Sequence, residues 1–267
     1  MTGLASLHVD DLELAMRMVD IADPISMARF RANDLIIETK PDTTPVTEAD
    51  RAVETALREI LGAERPRDAV LGEEFGTTGS GDRTWIIDPI DGTKNYLRGV
   101  PIWATLIALR DTAGICVGVV SAPAMGRRWW ATRSGGAFTL DPGSSEPRRL
   151  RVSGVSQLQD ASFSFSDSIG WSERSANLDA LITRTWRQRA YGDFLSHVLV
   201  AEGAVDIAAE PFLEVYDLAA LLPIITEAGG EVSGYDGTDP LTAGSLLSTN
   251  SHLHRPALDL LTGSVSD

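Results

Sequence analysis

The run Trp85-Ile86-Ile87-Asp88-Pro89-Ile90-Asp91-Gly92-Thr93 decides how the rest of the chain is read. An aromatic followed by two β-branched residues predicts a buried strand over 85–87. That strand then meets two carboxylates within four residues, a proline that removes a backbone donor, and a glycine that permits close backbone approach to a ligand. The amides after Gly92 would cradle phosphate oxygens if Thr93 opens a helical turn. The same segment also fits a structural polar turn in which Asp88 and Asp91 bond nearby amides. Carboxylates elsewhere in the chain bear on the choice.

Working outward, Ala69-Val70-Leu71 predicts another strand, and Gly72-Glu73-Glu74 puts further carboxylates at its end. Glu73, Asp88, Asp91 and the Ile90 carbonyl offer oxygen and neither thiolate nor imidazole, a donor set that favours Mg²⁺ over Zn²⁺. Asp50 and Asp217 each have a structural reading as well. Asp50 lies three residues after Thr47, the spacing of a capping box, and Asp217 lies near a helix start, where it would oppose the helix dipole.

Apolar spacing through Leu12, Met16, Val19 and Ile21 predicts a helix over 10–30, and Val53, Leu57 and Ile60 predict a second after Pro45. Short β-rich runs at 85–87, 105–109, 115–120 and 129–131 predict a mostly antiparallel sheet. The turn-rich stretch 141–147 reads as a hairpin or an inter-domain connection. Beyond it, strands at 161–165, 204–208 and 246–249 alternate with helices at 193–201, 216–228 and 253–261. The reading is an α+β half over 1–150 carrying the metal motif and an α/β half over 151–267 completing the site.

The chain has 267 residues, enough to bury a core without disulfide or structural-metal staples. No run approaches the roughly 20 apolar residues needed to cross a bilayer. Leu4 and Leu7 are soon followed by Asp10, Asp11 and Glu13, which fits neither a signal nor a transit peptide, so a cytoplasmic protein is expected. The lone Cys116 lies in an apolar run and reads as a buried strand residue. Against 38 acidic residues stand 23 Lys and Arg, a formal charge of −15 that repels nucleic acid and anionic membranes. The same charge repels a phosphate ester, so phosphate chemistry here requires a local positive centre, for which a divalent metal is the economical choice.

Together these segments resemble the inositol monophosphatase family of Mg²⁺-dependent, lithium-sensitive phosphatases. The family's signatures appear as Pro45-Val46-Thr47-Glu48-Ala49-Asp50, Gly72-Glu73-Glu74, Trp85 to Thr93, Tyr216-Asp217-Leu218-Ala219-Ala220 and Glu227-Ala228-Gly229-Gly230, with Tyr216 standing where the family usually has Trp. The resemblance implies a layered αβαβα sandwich, usually homodimeric. It implies that Glu73, Asp88 and the Ile90 carbonyl hold one metal, that Asp88, Asp91 and Asp217 hold a second, and that Asp50 helps place a third. Two to three Mg²⁺ are thus expected, with Mn²⁺ as a substitute and Li⁺ as an inhibitor. Thr93 and Asp50 would orient the attacking water, and Glu73 would share in activating it. Asp91, Gly92, Thr93 and Asp217 would also face the substrate.

The histidinol-phosphatase branch is the closer match, on Lys40-Pro41-Asp42-Thr43-Thr44-Pro45-Val46-Thr47, Asp91 to Tyr96, Trp103 to Leu109 and Arg189-Ala190-Tyr191-Gly192-Asp193-Phe194. Gly192, Asp193 and Glu210 occupy positions that face the alcohol part of the substrate. Histidinol phosphate carries an ammonium and a titratable imidazole, which favour carboxylate partners, whereas inositol offers only neutral hydroxyls. Arg189 would shape that wall or pair with Asp193, and Asp193 also fits a helix cap. Trp103 would reach the substrate, Lys94 would touch phosphate, Trp129 and Trp130 read as core or dimer contacts, and His8, His252 and His254 read as solvated. The competing readings are an inositol-1-phosphate or broad sugar-phosphate phosphatase, and an inactive metal-binding regulatory protein.

Overall fold

The computed structural model describes residues 8–39 and 45–263, so Leu4, Leu7 and Lys40-Pro41-Asp42-Thr43-Thr44 lie outside the described residues. Side chains alternate across a strand, and over 85–87 of the strand Thr84–Asp91 this sorts the apolar residues into two cores. Trp85 and Ile87 pack with Leu14 and Met18 of the helix Val9–Arg29 and with Val53 and Leu57 of the helix Glu48–Glu64. Ile86 joins Phe194 and Val198 of the helix Asp193–Ala201 and Leu221 and Ile224 of the helix Leu221–Glu227.

That second core reaches Ala208 and Leu246 of another sheet. On the far face of this sheet, Phe163, Ile207 and Leu247 pack against Leu178 and Leu181 of the helix Ser175–Arg184 and Ala257 and Leu260 of the helix His254–Thr262. The layers run helix, sheet, helix, sheet, helix, the expected αβαβα sandwich.

The large sheet has eight strands in the spatial order Arg148–Arg149, Gly136–Leu140, Arg127–Thr132, Gly114–Ala122, Ala104–Asp111, Thr84–Asp91, Ala69–Gly72 and Gly76–Thr78. Its pairings are antiparallel except that between Ala69–Gly72 and Thr84–Asp91. Residues 141–147 link two paired strands and so form a hairpin within this sheet. The small sheet is ordered Arg187–Arg189, Ser162–Ser164, Ile207–Glu210, Leu246–Thr249 and Glu231–Ser233, parallel at its first two pairings and antiparallel at its last two.

Three elements depart from expectation. The strand at 85–87 does not end there but continues to Asp91, with Asp88 opposite Leu106 and Asp91 opposite Ala104, so one extra residue bulges between them. Pro89 has no N–H for the ladder, and its carbonyl instead accepts from the Thr105 hydroxyl at 2.8 Å. The single helix expected over 216–228 is divided into Val215–Leu218 and Leu221–Glu227, because Pro223 cannot donate to the carbonyl one turn back, at Ala219. The strand expected over 204–208 is Ile207–Glu210, since the amides of Ala204 and Val205 are spent on the Leu199 carbonyl that closes the preceding helix.

Candidate active site

Asp88 shares the inner face of its strand with Ile86, and the bulge re-aims the residues that follow, a common device beside functional sites. The Ile90 amide donates to Asp88 Oδ1 at 3.0 Å, and the Phe194 amide donates to Asp91 Oδ2 at 2.8 Å, which ties the sheet to the start of an inner helix. Gly92 turns at φ 82° and Thr93 opens the short helix Thr93–Leu97, its hydroxyl donating to the Ile90 carbonyl at 3.0 Å. Across the layer boundary, Asp217 lies in the first turn of Val215–Leu218, where its Oδ2 accepts from the Glu214 amide at 2.7 Å. Asp88, Asp91 and Asp217 each present an oxygen within 4.8 Å of the other two.

Glu73 stands at the end of the neighbouring strand, its amide donating to the Ile87 carbonyl at 3.2 Å. The loop that carries it is gripped from below. Glu54, fully buried in the second helix, accepts from the amides of Glu74 at 2.7 Å and Phe75 at 3.2 Å, and pairs with Arg58 at 2.7 Å. A Cβ at Gly72 would come within 2.0 Å of Glu54 Oε1, so only glycine leaves room for this grip.

Asp50 does complete the capping box, taking the Thr47 amide at 2.9 Å and the Thr47 hydroxyl at 2.5 Å, both on Oδ2. Its buried Oδ1 has no hydrogen-bond partner among the described residues, so the cap uses one oxygen and leaves the other available to a cation. Buried polar atoms are rarely left so, and this orphan, with the all-oxygen trio, fits a hard divalent metal.

The electrostatics agree with that fit. Burial, followed by repulsion from Glu73, Asp91 and Asp217, holds the Asp88 carboxyl well above the usual range. Burial and then Asp193 and Asp217 do the same to Asp91. Loss of hydration is the largest cause at Asp217, pushed up to about 7, and at Asp50, pushed up to about 6. Such a cluster of like charges is what a bound cation neutralises.

A pH dependence follows. These acids hold protons in the folded protein that the unfolded chain has already released, so stability falls as pH rises from the ordinary carboxylate range near about 4 through about 7. Metal-free protein is therefore expected to melt at a lower temperature at about pH 8 than at about pH 6, and saturating Mg²⁺ should flatten the difference. Melting followed by circular dichroism with and without chelator checks this, and a metal-free melting temperature that climbs between the two pH values would count against it.

On the alcohol side, Gly192 is buried and Asp193 opens its helix at φ 50°, an unusual value for a residue with a side chain. Asp193 does not cap the helix with its carboxylate. Its Oδ2 accepts from Asn95 at 2.9 Å, and a Cβ on Gly92 would lie 3.1 Å from it, which puts Asp193 beside the central motif. Glu210 is buried at the end of its strand and is joined to Asp193 through Ser166, whose hydroxyl donates to Glu210 Oε1 at 2.6 Å and accepts from the Asp193 amide at 2.9 Å. Burial raises Asp193 to about 6, against the pull of Lys94, and raises Glu210 to about 8, against the Ser166 hydrogen bond.

Other expectations are corrected. Arg189 is exposed on an edge strand and donates to the Gln188 carbonyl at 2.7 Å; among the described residues it makes no ion pair with Asp193. Trp103 is fully buried against Phe30 and Tyr96 and is core. His254 is buried between Thr249 and Ser233 hydroxyls at 3.1 and 3.0 Å rather than solvated. Of its two expected readings, core or dimer contact, Trp129 takes the first, and its ring N–H donates to Glu202. His8, Asp111 and Cys116 also bring donor atoms within 4.8 Å of one another. Arg133 engages both Asp111 oxygens at 3.0 Å, however, and burial pushes the Cys116 thiol up to about 12, so this corner reads as structural. The reading from sequence gave no part to Ser166 or Glu54.

The chain matches the inositol monophosphatase family over residues 10–265. It is 55% identical to a histidinol-phosphatase of Mycobacterium tuberculosis over 94% of this chain and 98% of that one. It is 52% identical to a histidinol-phosphatase of Streptomyces coelicolor over 95% and 97%. Among solved structures, extragenic suppressor protein suhB from Bartonella henselae superimposes with a TM-score of 0.88 at 26% identity, covering 96% of this chain and all of that one. Five layers, a carboxylate trio gathered from a bulged strand and a facing helix, and these matches agree: the chain belongs to the inositol monophosphatase family, on the branch that holds those two histidinol-phosphatases.

Proposed function

We propose that this chain is a Mg²⁺-dependent phosphate monoesterase that converts L-histidinol phosphate to L-histidinol and phosphate. The observation that carries the reading is one continuous carboxylate surface. The Asp88, Asp91 and Asp217 trio offers oxygens to cations for phosphate chemistry, and Asp193, tied to Glu210, extends it toward a cationic alcohol. The two relatives at 52% and 55% identity, both named histidinol-phosphatase, support the substrate.

In this reading Glu73, Asp88 and the Ile90 carbonyl would hold one ion, Asp88, Asp91 and Asp217 would hold a second, and Asp50 would help place a third through its free oxygen. Mn²⁺ would substitute and Li⁺ would inhibit. The ions supply Lewis-acid charge neutralisation and lower the pKa of the attacking water. The Thr93 hydroxyl gives its proton to the Ile90 carbonyl and so keeps lone pairs with which to orient that water. Glu73 accepts its proton, and the amides at Gly92 and Thr93 receive phosphate oxygens. No Ser, Cys or His nucleophile is required, because phosphoryl transfer rests on positioning and electrostatics.

Gly192 lets Asp193 approach the alcohol, and Asp193 and Glu210 pair with its ammonium and imidazole. A homodimer working in the cytoplasm in histidine biosynthesis completes the proposal, with residues 1–150 and 151–267 as halves divided between the two sheets. No helix among the described residues is long and apolar enough to cross a membrane.

Asp193→Asn should raise the KM for histidinol phosphate by about tenfold, the scale of one charge-assisted hydrogen bond, and change that for a neutral phosphate ester far less. A panel of histidinol phosphate, inositol-1-phosphate and fructose-1,6-bisphosphate, run with Mg²⁺ on both proteins, tests the reading. A wild-type preference for inositol-1-phosphate would replace it with the inositol alternative.

A further inference from the structure

Ser166 stands two residues beyond the strand Ser162–Ser164, where the small sheet opens toward the site. A hydroxyl has one proton and two lone pairs, and both kinds of bond are committed here. The proton goes to Glu210 Oε1 at 2.6 Å, and a lone pair receives the Asp193 amide at 2.9 Å. Its partners come from different elements, Glu210 from a sheet strand and Asp193 from the first residue of an inner helix.

The second of these needs holding. Asp193 has φ 50°, in the left-handed region that a residue with a Cβ adopts only at a cost. Its flanks are anchored on the same strand: the Gly192 amide donates to Ser196 Oγ at 3.1 Å, and Ser196 Oγ bonds Ser164 Oγ at 2.7 Å. On its other side the Asp193 carboxylate is fixed by Asn95 at 2.9 Å. Ser166 is therefore the link that sets the spacing between the Asp193 and Glu210 carboxylates.

We propose that Ser166 is a specificity-positioning residue, whose hydroxyl locks two carboxylates at the separation that receives the cationic end of an amino-alcohol phosphate ester. The inference rests on the cationic-substrate reading above and adds a residue that acts through Glu210 and Asp193. Loss of the hydroxyl leaves Glu210 held from this side only by the Ser166 backbone and removes the acceptor that holds the Asp193 backbone. Threonine keeps the hydroxyl and should keep the lock.

The test measures KM and kcat for histidinol phosphate and for glycerol 2-phosphate, a neutral-alcohol ester, on wild type, Ser166→Ala, Ser166→Thr, Glu210→Gln and the Ser166→Ala/Glu210→Gln double variant, all with Mg²⁺. Ser166→Ala should raise the histidinol phosphate KM by about tenfold, the scale of a hydrogen bond to a charged group, with kcat within about twofold. Its KM for glycerol 2-phosphate should barely move, and Ser166→Thr should restore selectivity. In the Glu210→Gln background the same alanine change should have a clearly smaller effect, because the bond it removes is already weakened. If wild type prefers the cationic ester and Ser166→Ala keeps that preference, or if alanine shifts both esters equally, the positioning role is overturned while the substrate reading stands. A wild type with no preference for the cationic ester overturns both. Should Ser166→Ala fail to melt cooperatively, Ser166→Thr and Glu210→Gln still decide: full selectivity in Glu210→Gln would overturn the lock.

Discussion

Asp88→Asn is expected to lower Mg²⁺-dependent phosphate release by at least about 10³-fold, since metal stabilisation of the transition state is worth several kcal/mol and each 1.36 kcal/mol is about tenfold. Asp88 presents an oxygen within 4.8 Å of those of both Asp91 and Asp217, and Glu73 also bears on it, repelling it most among the charged neighbours. An amide keeps the shape and can still accept from the Ile90 amide, now held at 3.0 Å, so the bulge has no reason to open. Removing one of several crowded like charges should leave the metal-free protein at least as stable at about pH 8, because the wild-type site is held together there against repulsion. The rise in melting temperature that Mg²⁺ gives wild type should shrink, since that rise follows the ratio of free ion to its dissociation constant. Turnover, calorimetric metal binding and melting on one preparation separate these effects. A cooperatively folded Asp88→Asn enzyme with wild-type turnover would sink the metal-cage assignment.

Local physics explains which of these features were readable in the chain and which were not. The strand at 85–87, the helices around Met16 and Leu57 and the Thr47–Asp50 cap are written in nearest-neighbour patterns of two to four residues, and they stand where those patterns put them. The extension of the strand to Asp91 is written in no such pattern, because it depends on what Ala104 and Leu106 present from the next strand. The break before Pro223 is legible from the proline itself, which has no N–H to continue the helix expected over 216–228.

Ser166 had no signal at all. It is one serine in Phe165-Ser166-Asp167-Ser168, and the groups it joins lie 27 and 44 residues further along. Glu54 likewise reads as a polar residue on an amphipathic helix, until folding brings the Glu74 amide to it from 20 residues away. Residues that make chemistry announce themselves by type, whereas those that position them are ordinary in type and are distinguished only by whom they meet.

Gly118→Ala should damage both stability and the metal site. Gly118 lies on the strand Gly114–Ala122, and a Cβ there would come within 2.2 Å of the Ala220 carbonyl oxygen and 2.7 Å of Pro223 Cγ. Neither neighbour is the loose end of a long side chain, so relief requires moving the inner helices off the sheet. Overpacking of this kind costs about 1–3 kcal/mol and occasionally more, and for a chain of this size each kcal/mol lowers the melting temperature by about 2–4 °C. The displaced segment begins three residues after Asp217, so the same shift pulls that carboxylate from Asp88 and Asp91. Activity per folded molecule should therefore fall and the Mg²⁺ requirement rise, which a stability loss elsewhere would not cause. Gly62→Ala is the internal control. Gly62 lies within the helix Glu48–Glu64 with nothing within 4 Å of its would-be Cβ, and alanine there should stabilise by about 0.5–1 kcal/mol without touching catalysis. If Gly118→Ala melts like wild type with an unchanged Mg²⁺ requirement, then the seating of the inner helices on the sheet does not set where Asp217 stands, and the short segment Val215–Leu218 holds its carboxylate through the Glu214 bond alone.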